Sequence, residues 1–347
     1  MSGLKYQAIA AAFEVLSLPG LLAPVRRAGR TRGVIFTLHR VLAEPPPAFS
    51  PNAILQVTPD FLTYTIGRVR ALGLDIVPMD EAVRRIEAPE PEAPFAVFSF
   101  DDAYRDNLVH ALPILRQQGC PFTLYVPTAL VDGVGEVWWQ ALEDIIATHS
   151  AVRVPQEDGL SVFDTGTLAQ KHEAYDTLYW RMRRMPEPER VTLIGAIAAQ
   201  HGLDLHKHCR DLIMDWRELK TFAEEPLCTI GAHTVNHYEL AKLSPEQAEN
   251  EIAQSVRILG VQLGKKPEHL SYPIGGKASA GPRDYEIAAR LGLRSGVTTL
   301  PGGIEGHHAR ALHALPRISL NGNFQKRRYV DVFATGAVFS VLGRLTG

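Results

Sequence analysis

The stretch PFAVFSFDDAYRDN, Pro94 to Asn107, decides how the rest of the chain is read. Pro94 to Phe100 is an uninterrupted run of β-formers, which predicts an inner strand covered on both faces. Asp101 and Asp102 end that run. Adjacent carboxylates repel, and each raises the other's proton affinity, so the pair needs a reason. A structural reason is a helix start, where an aspartate caps the first turn and suits the helix dipole. Asp102 to Gly119 reads as that helix. A chemical reason is a site at the carboxyl end of a strand.

The surroundings repeat the pattern. Gly33 to Val41 (GVIFTLHRV) reads as a buried strand ending at His39, and Pro45 to Pro47 marks a loop. Thr58 to Gly73 has a Thr-Pro start, helical apolar spacing and a glycine stop. LDIVPM from Leu74 is a short strand, DEAVRRIE from Asp80 a short helix, and PFTLYVP from Pro121 a further strand. After the residues near 219, PLCTIGAHTVNH contains a strand and Ser244 to Gly264 is a long helix. EHLSYPIGG is strand and loop, PRDYEIAARLG a helix, LRSGVTTL a strand, and ALPRISL the last strand. This alternation predicts an α/β fold of parallel strands with right-handed crossovers, open or closed into a barrel. Between about 130 and 219 the chain turns polar and largely helical, as an insertion on that scaffold.

The chain has 347 residues, 46% hydrophobic and 21% charged, enough to bury a core. A net charge of −2 excludes a global field that recruits nucleic acid. Basic clusters at Arg26-Arg27-Arg30-Arg32 and Lys326-Arg327-Arg328 read first as solvated surface, with membrane or phosphate contact as the second reading. Three cysteines, Cys120, Cys209 and Cys228, show no metal-ligand spacing and fit a reducing compartment. Residues 1–30 hold an amphipathic helix with Glu14 inside its apolar run and no clear cleavage site, so they are not read as a signal peptide. Residues 326–347 form a similar apolar tail. Neither end reaches the roughly 20 uninterrupted apolar residues of a spanning helix. The expected location is the cytoplasm, with peripheral membrane contact through the two ends.

Four predicted strands place ionisable or polar groups at one rim: His39, the Asp101–Asp102 pair, His233 with His237, and Tyr272-Pro273. His233 and His237 stand at i and i+4, which on a helical turn gives one face and a shared metal. The protease pattern H-E-x-x-H fails, because Thr234 stands where the glutamate would be. A carboxylate such as Asp102 would complete three protein ligands, leaving Asp101 free as general base. A metal that neutralises one of two neighbouring carboxylates lets them hold different roles. SYPIGGKAS is not a P-loop, because Ser271 stands where the first glycine should be, and His307-His308 reads as loop.

Ser99 to Asn107 (SFDDAYRDN), then GAHTVNH, then LSYPIGG, resemble the motifs of the polysaccharide deacetylase family, the NodB-type carbohydrate esterases, over roughly Arg32 to Leu320. The resemblance implies a distorted (β/α) barrel of NodB-homology type as the catalytic domain, 31–325. It implies Asp101 as general base, and Asp102, His233 and His237 as ligands of a divalent metal ion, usually Zn2+. It implies the backbone N–H of Tyr272 as an oxyanion donor. It implies His39 as general acid, because TLHRV resembles the branch that carries this histidine on an N-terminal strand, with His313 as its rival. Two departures stand out. Ala103 replaces a glycine, which would narrow the site, and Leu270 and Ser271 stand where an arginine usually orients the base. Arg317 is the candidate replacement, against a surface salt bridge. Trp138 and Trp139 are candidates to stack on a sugar ring, at least one of them being core, and Trp216 reads as core beside the site. The activity so implied is metal-dependent removal of N-acetyl groups from an amino sugar in an N-acetylated glycan. A hydrolase of another small amide or imide, or a silent glycan-binding relative, are the alternatives.

Overall fold

The computed structural model describes residues 3–18, 20–22, 31–156, 159–336 and 338–339. Arg26, Arg27 and Arg30, and the tail from 340 onward, lie outside the described residues. The strands in chain order are β1 (Thr31–Leu38), β2 (Arg40–Val41), β3 (Gln56–Val57), β4 (Asp75–Ile76), β5 (Phe95–Phe100), β6 (Phe122–Val126), β7 (Ala151–Gln156), β8 (Gly159–Asp164), β9 (Cys228–Ala232), β10 (His269–Ser271), β11 (Ser295–Val297), β12 (Ile304–Glu305) and β13 (Ile318–Ser319). The main sheet runs β11-β10-β9-β6-β5-β1-β12, parallel throughout except for β12.

The sheet curls until its ends are bridged. Leu315 pairs with Val297 of β11, and three residues later Ile318 of β13 pairs in parallel with Phe36 of β1. One short segment therefore ties the two sides of a distorted (β/α) barrel, and Arg317 sits on it. Strand alternation fixes the interior. Ile35, Phe95, Val97, Tyr125, Val297 and Leu315 form one buried cluster, plugged by Met79, Val83 and Ile86 of the helix Met79–Glu87. The alternate residues Phe36, Phe98, Phe100 and Leu124 face the surrounding helices in the larger cluster. Each such fully buried aliphatic or aromatic side chain contributes about 1.5–3 kcal/mol. The parity that puts Val97 and Ser99 inside also puts Asp101 inside.

The helices Pro59–Ala71, Met79–Glu87, Pro245–Leu263 and Pro282–Arg290 lie where their sequence signals put them. Thr58 and Ser244 cap two of them with side-chain oxygens. The segment after the Asp pair differs from the expected helix beginning at Asp102. Helical backbone begins at Arg105 and runs as a π-turn over Asn107–Ala111 before the α-helix Leu112–Gln117. Pro113 lacks an N–H and its ring crowds the carbonyl four residues back, and the wider π-turn relieves both. The insertion also departs from a purely helical reading. Between the helices Trp138–Thr148 and Leu168–Arg184 it contains the antiparallel hairpin β7–β8. Its signal was present in the alternation of AVRVPQEDGLSVFD around Glu157-Asp158-Gly159.

The insertion is seated on the barrel through buried ion pairs. Arg183 grips Glu239 with two bonds of 2.9 Å. Glu187 accepts the Glu239 backbone N–H at 3.1 Å and pairs with Arg190 at 2.7 Å. Glu143 receives the Asn52 N–H at 2.6 Å. The cysteines are free, and burial pushes the Cys120 and Cys209 thiols up to about 12. Among the described residues no helix is long and apolar enough to cross a membrane.

Candidate functional site

The site is built where β1, β5, β9 and β10 end at their carboxyl side. Asp101 follows β5, and its N–H donates to the Leu38 carbonyl of β1 at 3.0 Å. Its inward carboxylate meets Arg317. Nη1 donates to Oδ1 at 2.8 Å and Nη2 to Oδ2 at 2.6 Å. The remaining guanidinium donors go to Thr298 O at 2.9 Å, Ser99 Oγ at 3.2 Å and Ser271 Oγ at 2.9 Å. All five N–H groups are thus used, in a side chain that is 1% exposed and stands over the Tyr125 ring at 5.7 Å. Arg317 is no surface salt bridge. It reaches Asp101 from the barrel-closing segment, and Ser271, at the end of β10, holds both partners. Burial alone would raise the Asp101 carboxyl, but the Arg317 charge and hydrogen bonds outweigh it and hold the group below its usual range.

Asp102 turns the other way. Its Oδ1 lies 3.4 Å from His233 Nε2 and 3.2 Å from His237 Nε2. It caps no helix, so the structural reason for the pair fails. His233 Nδ1 donates to the Ser271 carbonyl at 2.6 Å, because a carbonyl can only accept; this turns Nε2 toward Asp102. Asp102 Oδ1 and His237 Nδ1 are buried without a hydrogen-bond partner. The ligand atoms of Asp102, His233 and His237 lie within 4.8 Å of one another, and all three residues are buried. Burial opposes charge here too, yet His237 and His233 hold Asp102 well below the usual carboxylate range. His233 is pushed down by burial and up by Asp102 and Asp101, with a net rise. A buried carboxylate oxygen without a hydrogen bond, facing two imidazole nitrogens in a region that draws positive charge, fits a divalent cation.

The two histidines do not share a helical turn. The backbone after β9 is an irregular loop in which Thr234 and His237 take φ of 64° and 57°. The His237 N–H donates to Thr234 Oγ1 at 3.1 Å. Glu251, on the helix Pro245–Leu263, accepts from Val235 N at 3.0 Å, Asn236 N at 2.9 Å and Asn236 Nδ2 at 2.6 Å. It therefore clamps the segment between the ligands, a positioning residue that sequence reading missed because its spacing to the histidines follows no motif. Glu251→Ala orphans two backbone N–H groups. The expected result is a loss of about 10–100-fold in metal affinity with the fold retained, read by metal titration beside a melting curve. Glu251→Gln, which keeps an acceptor oxygen, should recover part of it.

Four expectations change at the rim. The Tyr272 N–H, expected to hold an oxyanion, is committed to the Val297 carbonyl at 3.2 Å as the β10–β11 ladder continues. Its hydroxyl donates to the His313 carbonyl at 2.8 Å. Among the described residues, the N–H of Ile274, two residues on, is one donor at this rim with no backbone hydrogen bond, in a partly buried residue with φ 61°. Trp138 and Trp139 are 4% and 5% exposed, so neither offers a face to a sugar. Trp138 stacks on Tyr179, while Trp139 lies 5.0 Å from the His237 ring and donates to Tyr104 Oη. Trp216 is only partly buried, its indole N–H on Asp132 at 2.7 Å. Ala103 is fully buried in the core cluster, so its methyl packs there. His39 follows β1 directly, half-buried. Burial lowers its pKa, with Asp102 and Asp101 opposing and Arg317 and His233 adding to the fall. His313 is turned away, its Nε2 on the Leu293 carbonyl at 2.7 Å.

Asp102, Ala103, Thr234, His237 and Ile274 are the non-glycine residues with positive φ among the described residues, and all five border this site. Backbone strain of this kind persists where surrounding structure enforces it, and it clusters at functional sites.

Residues 88–296 match the sequence profile of the family described as Polysaccharide deacetylase. A Bacillus subtilis (strain 168) protein described as "Putative polysaccharide deacetylase YxkH" is 20% identical over 246 residues, 71% of this chain. The match spans 58% of that relative's length. Among solved structures, the Streptococcus pyogenes deacetylase PplD in complex with acetate is similar at a TM-score of 0.58 and 20% identity, over 87% of this chain and 97% of its own. IcaB from Ammonifex degensii is similar at 0.52 and 17% identity, over 87% and 98%. These likenesses carry the fold.

Proposed function

The chain belongs to the polysaccharide deacetylase family, and from that premise we propose that it is a metal-dependent hydrolase removing N-acetyl groups from an amino sugar. The substrate is a poly- or oligosaccharide or its lipid-linked precursor, and the products are acetate and a free amine. One observation carries this reading: neighbouring carboxylates with opposite partners. Asp101 is locked to a buried guanidinium, and Asp102 faces two imidazole nitrogens.

Asp102, His233 and His237 would hold the ion, zinc first, although a set of two histidines and a carboxylate accepts other divalent ions. When bound, it supplies Lewis acidity toward water and the acetamide carbonyl. Asp101, ionised and fixed by Arg317, takes the proton of the attacking water as its oxygen bonds to the carbonyl carbon. The N–H of Ile274 is a donor for the oxyanion that forms. As the C–N bond breaks, His39 gives its proton to the amine. PplD, described in complex with acetate, offers a parallel for the expected product.

The test is acetate release from N-acetylglucosamine oligomers before and after chelation, with divalent add-back, on wild type and Asp102→Ala. Chelation should abolish release and zinc restore it, and Asp102→Ala should hold no stoichiometric metal and release no acetate. A wild type that binds no metal would overturn the mechanism. Metal binding without acetate release would overturn the substrate.

A further inference from the structure

The N-terminal helix carries a feature that the chemistry does not use. Past the helix Gly3–Leu16 the chain turns, with Ser17 N on Phe13 O, Leu18 N on Val15 O and Leu21 N on Leu18 O. On the docked side Phe13 is 3% exposed, with the rings of Phe324, Tyr329, Phe333 and Phe339 at 5.1 to 5.8 Å. Val15, Leu18 and Leu21 follow at i, i+3 and i+6, exposed at 55%, 55% and 43%. They are three of the nine exposed large apolar side chains among the described residues, gathered within seven positions.

Beside this ridge stand Lys326, Arg327 and Arg328, all exposed. Ser17 Oγ donates to the Arg328 carbonyl at 3.3 Å, which fixes the cluster against the ridge. Glu14 pairs with both Lys326 and Arg328 at 2.5 Å, offsetting one of three positive charges and leaving a surplus of two.

We infer that this face docks on an anionic lipid surface, the apolar ridge entering the headgroup boundary while the basic cluster meets lipid phosphates. The pairing of apolar groups at the end of this helix with cationic groups beside them is what such a surface recognises. A second copy of the chain fits less well, because a two-fold contact centred on the ridge would bring each basic cluster against its own copy. The face also lies a short path from the site. The turn Gly322–Phe324 packs on Pro51–Leu55, and there Asn52 Nδ2 donates to the carbonyl of Trp139, whose ring borders His237.

The test is co-sedimentation of the full chain with vesicles of phosphatidylglycerol and phosphatidylcholine, against phosphatidylcholine alone. Partition onto the anionic vesicles should exceed that onto the neutral ones by about tenfold or more. Leu18→Gln with Leu21→Gln should lower it about tenfold, as should Lys326→Gln with Arg327→Gln. Val15→Gln repeats the ridge test independently. Melting temperature and acetate release from soluble oligomers should stay at wild-type values. Equal partition onto both vesicles would overturn the inference. So would binding that salt abolishes but the ridge variants leave intact, or self-association that the ridge variants remove without any lipid binding.

Discussion

Replacing Asp101 by Asn is expected to lower the rate of acetate release by about 10²–10⁴-fold while stoichiometric metal uptake persists. The expectation rests on the separation of the two carboxylates. Asp102 faces the imidazoles, and Asp101 faces Arg317, so the substitution removes a proton acceptor and leaves the ligand set untouched. Asparagine keeps the shape and one carbonyl oxygen for the guanidinium. Rate and metal content must be read together on the same sample. Parallel loss of both would mean that Asp101 holds the ion as well. The wild-type pH profile checks the same assignment. Arg317 holds Asp101 below the ordinary aspartate value, so the acid limb should lie below it. His39 is shifted below the ordinary histidine value, so the alkaline limb should fall there as the proton donor is lost.

Arg317→Met should be the most damaging single change to stability, costing about 3–5 kcal/mol, because it leaves a buried carboxylate without its counter-charge. The sign follows from the direction of the shift. Asp101 is depressed in the folded chain, so its pair with Arg317 stabilises fully above the unfolded aspartate value and is lost as pH falls through the folded one. In the variant, burial is opposed only by the His233 and His39 charges, so Asp101 rises from its wild-type value. The gap between wild type and variant should therefore be full at neutral pH and close on acidification, as the variant's Asp101 takes up a proton. Denaturant melts at several pH values measure this, and the acid limb of the pH–rate profile should move upward alongside. Arg317→Lys keeps the charge but not the two-pronged grip, and should fall between. A gap that stays constant with pH would refute the pairing argument.

Much of this was legible because the barrel is written in short apolar runs. The run Pro94 to Phe100 is β5 but for its first residue, and the parity of its side chains already assigns Asp101 to the interior. His39, the Asp pair and the two histidines all end strands, so alternation alone brought them to one rim. What alternation could not supply was loop conformation. The segment between His233 and His237 has helical spacing but is held open by Thr234 and Glu251, contacts made respectively within a turn and across 15 residues or more. Arg317 was legible as a candidate only. Its role depends on Leu315 and Ile318 pairing with strands on opposite sides of the barrel, which local sequence does not encode. Tyr272 was misjudged because the Tyr-Pro pair marks a strand end without saying how far the hydrogen-bond ladder runs.

The positive-φ residues carry a consequence for how such a chain would decay. Left-handed backbone costs a non-glycine residue about 1–2 kcal/mol, and two of the five, Asp102 and His237, are the proposed ligands themselves. Glycine at either position would relax the backbone and erase the chemistry in one step. A gene copy selected only for abundance would therefore drift toward glycine at its most informative positions. The side chains of Asp102 and His237 are thus held at a conformational cost that the proposed chemistry, rather than the fold, explains.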